Sequence, residues 1–217
     1  MLCRLWAGFV AAVLCAVAAA SETYNDPDTG LVFSSEFKLY KADGRGITYR
    51  VAIPDDAQAY SSFDAVVQFV VPNDVGWAGL AWGGSMPQNP LLVAWRDDSN
   101  RPILSSRWAT GHVAPQPYNG AQYTLFQTGT KSNSTHWQFT ALCQGCSSWT
   151  LNSGVTRYVM PRGGIRMAFA YSPNRPSPPS SPTSTLTIHE VFGYIDQDLG
   201  KGLNANFQSI VERLSMS

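Results

Sequence analysis

From residue 63 to residue 195 the apolar positions come in short bursts of β-branched and aromatic side chains, each closed by Gly, Pro, Asn or Ser. That rhythm predicts strands and turns. The clearest burst, Phe63-Asp64-Ala65-Val66-Val67-Gln68-Phe69-Val70-Val71, stops at Pro72-Asn73-Asp74. Trp77 to Trp82, Leu91 to Trp95, Tyr123 to Gln127, Trp137 to Leu142, Ile165 to Tyr171 and Leu186 to Ile195 follow the same pattern. Many short strands at such spacing predict an all-β sandwich or barrel. Near the C-terminus Leu203, Phe207, Ile210, Val211 and Leu214 fall at helical spacing. This predicts one short amphipathic helix that packs against the fold and has no chemical role.

Pro173-Asn174-Arg175-Pro176-Ser177-Pro178-Pro179-Ser180-Ser181-Pro182-Thr183-Ser184-Thr185 interrupts this pattern. Its composition disfavours a packed core and suits extended, O-glycosylated chain or a linker. Few residues follow it, so it reads as a long exposed loop between two strands of one domain. Asn133-Ser134-Thr135 is an N-glycosylation acceptor and is expected at the surface.

The N-terminus sets the compartment. Arg4, an apolar run from Leu5 to Val17, and Ala18-Ala19-Ala20 together have the form of a secretory signal peptide over residues 1–20. Residues 21–217 are then one extracellular domain, with no membrane span expected. The chain has 15 Lys and Arg against 15 Asp and Glu. Removing Arg4 leaves residues 21–217 one negative charge from neutral, so no basic surface advertises nucleic acid or anionic lipid. Cys3 and Cys15 leave with the signal, and Cys143 and Cys146 remain. In an oxidising compartment that pair is expected to form a disulfide.

Candidate chemistry is sparse. His112, His136 and His189 are scattered, with none of the spacing of a zinc site. Cys143-Gln144-Gly145-Cys146 is followed by Ser147, so it lacks the histidine of a c-type haem attachment. It also lacks the βαβ surroundings of a thioredoxin-like redox motif. No Gly-x-Ser-x-Gly elbow and no Gly-x-Gly-x-x-Gly fingerprint occur. There remains Met86. The strand to Trp82, the flexible Gly83-Gly84 and the restriction imposed by Pro87 offer its thioether from a loop at a strand end. His189 shares a predicted strand face with Thr187 and Val191. Met and His together form a known axial pair for haem iron. Singly, each has an ordinary reading, as core filler or as hydrogen-bonded imidazole.

Four ordered motifs resemble the haem-binding cytochrome domain of cellobiose dehydrogenase, a branch of the DOMON superfamily. They are Gly76-Trp77-Ala78-Gly79-Leu80-Ala81-Trp82-Gly83-Gly84-Ser85-Met86, Arg107-Trp108-Ala109-Thr110-Gly111, Cys143-Gln144-Gly145-Cys146-Ser147-Ser148-Trp149, and His189 followed by Phe192-Gly193. The resemblance implies an immunoglobulin-like β-sandwich with a short C-terminal helix, holding non-covalent haem b with Met86 and His189 as axial ligands and a Cys143–Cys146 disulfide. An iron held by both residues has no open position for oxygen, so it transfers electrons and carries no catalytic site of its own. Arg107, Tyr118 and His112 are candidate partners for the propionates. Trp77, Trp82 and Phe192 are candidates to pack on the macrocycle, with core packing equally open for each.

The chain stops before any dehydrogenase or cellulose-binding module, which makes a free-standing, monomeric electron carrier the expectation. By the same resemblance a secreted flavin dehydrogenase is the expected donor and a copper polysaccharide monooxygenase the expected acceptor. The competing reading is a haem-free DOMON module that binds sugars through exposed rings such as Trp95 or Trp137.

Overall fold

A computed structural model describes residues 21–41 and 44–216. The expected signal peptide, with Cys3 and Cys15, lies outside them. In chain order the strands are β1 (Glu22–Asn25), β2 (Val32–Leu39), β3 (Gly46–Pro54), β4 (Ala65–Pro72), β5 (Trp77–Ala81), β6 (Leu91–Arg96), β7 (Pro102–Trp108) and β8 (Gln116–Pro117). There follow β9 (Gln122–Ser132), β10 (His136–Gln144), β11 (Ser148–Thr150), β12 (Thr156–Tyr158), β13 (Gly164–Ser172), β14 (Val191–Asp198) and β15 (Leu203–Asn204), then helix α1 (Phe207–Ser215).

Two sheets form the sandwich. The first runs β1-β2-β3-β4-β10-β9, with β15 added in parallel to β3, and the second runs β14-β13-β5-β6-β7-β8. Tyr49, Phe69 and Phe139 of the first sheet stack edge-on or tilted at 4.8 and 4.9 Å between centroids. They meet Ala78, Leu80, Leu92, Ala94, Met167 and Ile195 of the second in one core.

β4 is buried on both faces, which explains an apolar run broken within the strand only at Gln68, whose buried amide donates to Asp26 and Thr140. Val67 and Phe69 enter the sandwich core, while Val66 turns outward beneath α1 with Phe33, Leu142, Phe207, Val211 and Leu214. The predicted helix is real, and its apolar stripe is spent on packing. Its start differs from expectation. Leu203 belongs to β15, where it pairs with Ile53, and the helix begins at Phe207 after Asn204 has bonded both Val32 and Gly202.

The strand expected from Leu186 to Ile195 begins only at Val191. Thr187 is drawn away by the Trp77 indole, and pairing resumes where the Glu190 N–H reaches the carbonyl of Tyr171. Thr187 and His189 therefore do not share a strand face with Val191. β13 and β14 are direct neighbours, Tyr171 opposite Val191, so residues 173–190 leave a sheet and return to the same place in it.

Nor is that excursion a free loop. It lies as a strap across the outer face of the second sheet, covering Trp77, Val93 and Trp95. The Trp95 indole donates to the carbonyl of Pro179 at 2.7 Å, and Ser105 Oγ donates to that of Pro182 at 2.5 Å. Composition alone pointed to solvent because prolines cannot join a ladder; side-chain donors on the sheet supply the missing bonds.

Because α1 lies on the far side of the first sheet, Leu214→Ala is expected to cost about 2–4 kcal/mol of stability in urea unfolding. Amides of β5 and β6 should keep their wild-type hydrogen-exchange rates relative to those of β4 in the protein that remains folded.

Candidate functional site: the outer face of the second sheet

Alternation along β5 and β13 sorts their residues. Ala78 and Leu80 face the core, as do Met167 and Tyr171. Gly79 and Ala81 on β5, with Ala168 and Ala170 on β13, therefore face outward. In register they make adjoining pairs, Ala81 with Ala168 and Gly79 with Ala170. Together they make a low apolar floor, buried at Gly79 and Ala81 and half-buried at Ala168 and Ala170. One long border is formed by Phe192 and Tyr194 of β14, opposite Ala170 and Ala168 and exposed at 68 % and 56 %.

Met86 stands at one end of this floor. It is half-buried against the cluster of Ala81, Leu91 and Ala109. The loop that carries it is tied from several directions. Asn89 Nδ2 donates to the carbonyl and hydroxyl of Ser85, both at 2.9 Å, and to the carbonyl of Pro87 at 2.8 Å. The Gln88 N–H bonds Ala109 O at 2.7 Å, and its carbonyl accepts from the Trp149 indole at 3.0 Å. Its side-chain oxygen accepts from the Asn152 N–H at 3.0 Å. These bonds hold Gln88 at φ 55°, a left-handed conformation disfavoured for a residue with a Cβ. At Gly83 any side chain is barred, because a Cβ would fall 1.7 Å from Asn89 Oδ1.

His189 stands at the other end, in the irregular stretch between Thr187 and Glu190. Its ring meets Phe192 edge-on at 5.1 Å. Thr187 Oγ1 accepts from Trp77 Nε1 at 3.1 Å, and Glu190 N bonds Tyr171 O at 3.0 Å, so the histidine is pinned on both sides. From the Ala78–Tyr171 pair near His189 to the Ala81–Ala168 pair near Met86 is three residues, about 10 Å of strand. The two residues approach one apolar face from opposite ends. A flat apolar group with one ligand on each side fits that arrangement.

Other expected residues fall elsewhere. Trp82 is sealed in the sandwich core, its indole donating to the Tyr123 hydroxyl at 3.0 Å, so it does not face the site. Burial pushes the Tyr123 hydroxyl well above its ordinary range. That hydroxyl lies 3.3 Å from the sulfur of Cys146, which is disulfide-bonded to Cys143 as expected. Trp77 does lie on the outer face, beneath the strap.

Among the propionate candidates, Arg107 is 3 % exposed and bonded to Ser105 and to the carbonyls of Pro115, Pro182 and Ser184. Desolvation lowers its pKa. Tyr118 stacks on Trp108 at 4.9 Å, and His112 is exposed on the loop after β7. Asn133 is exposed in the turn before β10, its Oδ1 accepting from the Thr135 and His136 amides. Trp95 and Trp137, offered as sugar platforms, are 0 % and 1 % exposed. The first is roofed by the strap and the second lies in the core, so neither ring is available for stacking.

Sequence reasoning missed Asn89, Gln88 and Trp149 as the frame of the Met86 loop. It also missed the floor itself, although small residues at alternate positions in Gly79-Leu80-Ala81 and Ala168-Phe169-Ala170 would have signalled it. A cavity of about 430 Å³ opens behind the loop, lined in part by Gln88, Trp149, Arg157 and Tyr158. Among the described residues no helix is long and apolar enough to cross a membrane, and no cluster of three or more His, Cys, Asp or Glu could hold a metal.

Residues 24–209 match the family profile of the cytochrome domain of cellobiose dehydrogenase. The chain belongs to that family. Its members bind b-type haem, and the outer face suits such a group by its small-residue floor and by what stands at its two ends. A similar relative is the pyrroloquinoline quinone-dependent pyranose dehydrogenase of Coprinopsis cinerea, 29 % identical over 212 residues. The alignment covers 97 % of this chain and 28 % of that protein. The crystal structure of the cytochrome b domain of pyranose dehydrogenase from the same organism superposes with a TM-score of 0.75 at 28 % identity. It covers 90 % of this chain and 96 % of that one. The cytochrome domain of Myriococcum thermophilum cellobiose dehydrogenase gives a TM-score of 0.78 at 23 % identity over the same shares, a likeness of fold.

Asn89→Ala removes three bonds at almost no steric cost. The Gln88 amide is expected to exchange its hydrogen about tenfold faster or more, measured by native-state hydrogen exchange against the amides of β4 as an internal reference.

Proposed function

We propose that the chain is an extracellular electron carrier whose b-type haem is held by Met86 and His189 on the outer face of the second sheet. The observation that carries this reading is the pair of anchored loops at opposite ends of one small-residue floor. Bound there, haem would supply a one-electron couple between ferrous and ferric iron, and with Met86 and His189 both holding it oxygen would find no place to coordinate.

The chain's own residues do the rest. Asn89, Gln88 and Trp149 hold the loop that carries Met86, and Thr187 and Glu190 fix the backbone around His189. Ligand geometry held this firmly changes little between oxidation states, which favours fast outer-sphere exchange. The soft thioether favours the reduced state. Phe192 and Tyr194 supply apolar cover along the open border. Retention is non-covalent, since Cys143 and Cys146 are bonded to each other and no histidine follows them.

The partners belong to the same proposal. The relatives are named as sugar dehydrogenases that include a cytochrome domain, so a sugar-oxidising dehydrogenase is the donor we favour. Its cofactor is flavin by the resemblance, or pyrroloquinoline quinone as in the Coprinopsis cinerea relative's name. A copper polysaccharide monooxygenase is the acceptor we favour. Secretion is supported by the form of residues 1–20 and by a disulfide, which suits an oxidising compartment; glycosylation at exposed Asn133 goes with it. The sugar-binding module draws no support once Trp95 and Trp137 are seen to be buried.

Absorption spectroscopy tests the reading. The purified protein is expected to show a low-spin b-type spectrum, which Met86→Ala and His189→Ala each abolish while the far-ultraviolet circular dichroism of the sandwich persists. Met86→His should keep the iron low-spin and lower its midpoint potential. A variant of either residue with the wild-type spectrum would remove it from the ligand set.

A further inference from the structure

We propose that Arg107 is a positioning residue for His189, holding the strap so that its return arm delivers the imidazole to the outer face. The proposal rests on the reading of His189 as an axial ligand and adds how the chain keeps it in place.

A guanidinium that is almost fully buried ordinarily faces a carboxylate, because desolvating an unpaired charge is expensive. Arg107 faces neutral oxygens instead. Nε donates to Ser105 Oγ at 2.6 Å, one terminal nitrogen donates to Pro115 O at 3.2 Å, and the other to Pro182 O at 2.9 Å and Ser184 O at 2.6 Å. Two of these acceptors belong to the strap. Ser105 completes the clamp, accepting from Arg107 while donating to Pro182.

Pro182 and Ser184 lie just before the arm that descends through Leu186, packed on Trp77, Val93 and Trp95, to Thr187 on the Trp77 indole and then to His189. The planar fork of an arginine can serve several carbonyls at once, whereas a lysine presents a single point of charge. β7 also holds the other loop. Two residues beyond Arg107, the carbonyl of Ala109 accepts the Gln88 N–H beside Met86. One strand end thus fixes both sides of the site, through a backbone carbonyl for Met86 and through a buried side chain for His189. Arg107 touches neither ligand residue and acts on the histidine through the strap.

The test uses the full chain with Arg107→Lys and Ser105→Ala, beside His189→Gly as reference. In the haem-free protein, amides of residues 183–190 should exchange faster in Arg107→Lys while those of β4 and β10 keep their wild-type rates. Loaded with haem, Arg107→Lys should bind it about tenfold less tightly and show partial loss of the low-spin bands. Free imidazole should restore those bands, as it should for His189→Gly, because what is missing is a correctly placed imidazole. Ser105→Ala should move the same readouts in the same direction by less, and it decides the matter if the lysine variant does not fold.

Wild-type haem affinity and spectrum in both clamp variants, with His189→Gly still deficient and rescued by imidazole, would overturn the positioning role and leave the ligand assignment standing. A wild-type spectrum in His189→Gly would overturn both.

Discussion

The indole of Trp95 points away from the sandwich core and donates to the carbonyl of Pro179, and the constraint behind that contact governs the rest of the molecule. β5 and β6 of the second sheet are apolar on both faces. The sheet's inner face is covered by the first sheet, but Trp77, Val93 and Trp95 on the outer face would lie open to water without a roof. The strap supplies the roof over β6 and β7, and the loop after β5 closes one end. Between them runs the strip of Gly79, Ala81, Ala168 and Ala170, with Met86 packed against the Ala81 end and Ala170 joining the cluster beneath the strap at the other. In the proposed reading, haem lies along this strip.

That view accounts for what could and could not be seen in the sequence. β5 and β6 announced themselves because they are buried on two faces and hence continuously apolar, and β4, β10 and β13 because apolar residues still dominate them. β7 did not, since Ser105 and Arg107 are polar on a face that is nonetheless buried, and hydropathy cannot tell a clamped arginine from a solvated one. β2, with Ser34, Ser35, Glu36 and Lys38, was hidden for a related reason. Glu36 is buried against the Ser21 hydroxyl, and Ser34 beneath Gln197. Trp95 and Trp137 show the opposite failure: aromatic residues are conspicuous in a sequence, but nothing in their spacing tells which side of a strand is roofed. Met86 and His189 were legible as residue types beside suggestive neighbours. Their placement toward opposite ends of the β5–β13 strip depends on that strand pairing and on anchors at Asn89, Trp149 and Trp77, which involve contacts distant in the sequence.

The disulfide belongs to this frame more than to the chemistry. Cys146 touches Tyr123, Tyr123 receives the Trp82 indole, and Trp82 is the last residue before the Gly83-Gly84 turn into the Met86 loop. A covalent link in the core thereby backs the point where β5 gives way to the loop. Trp149, three residues after Cys146, reaches the same loop from the other side through Gln88.

The five prolines of the strap, Pro173, Pro176, Pro178, Pro179 and Pro182, have a consequence for how readily this roof forms. Each fixes one backbone torsion before folding begins, so the unfolded segment samples fewer conformations and loses less entropy when it lies down on the sheet. A segment already stiff in solution can be held by a few side-chain donors where a flexible one would need a full ladder. The same stiffness transmits a displacement at one anchor along the segment and does not absorb it locally, which makes the histidine at its end sensitive to how the far end is tied.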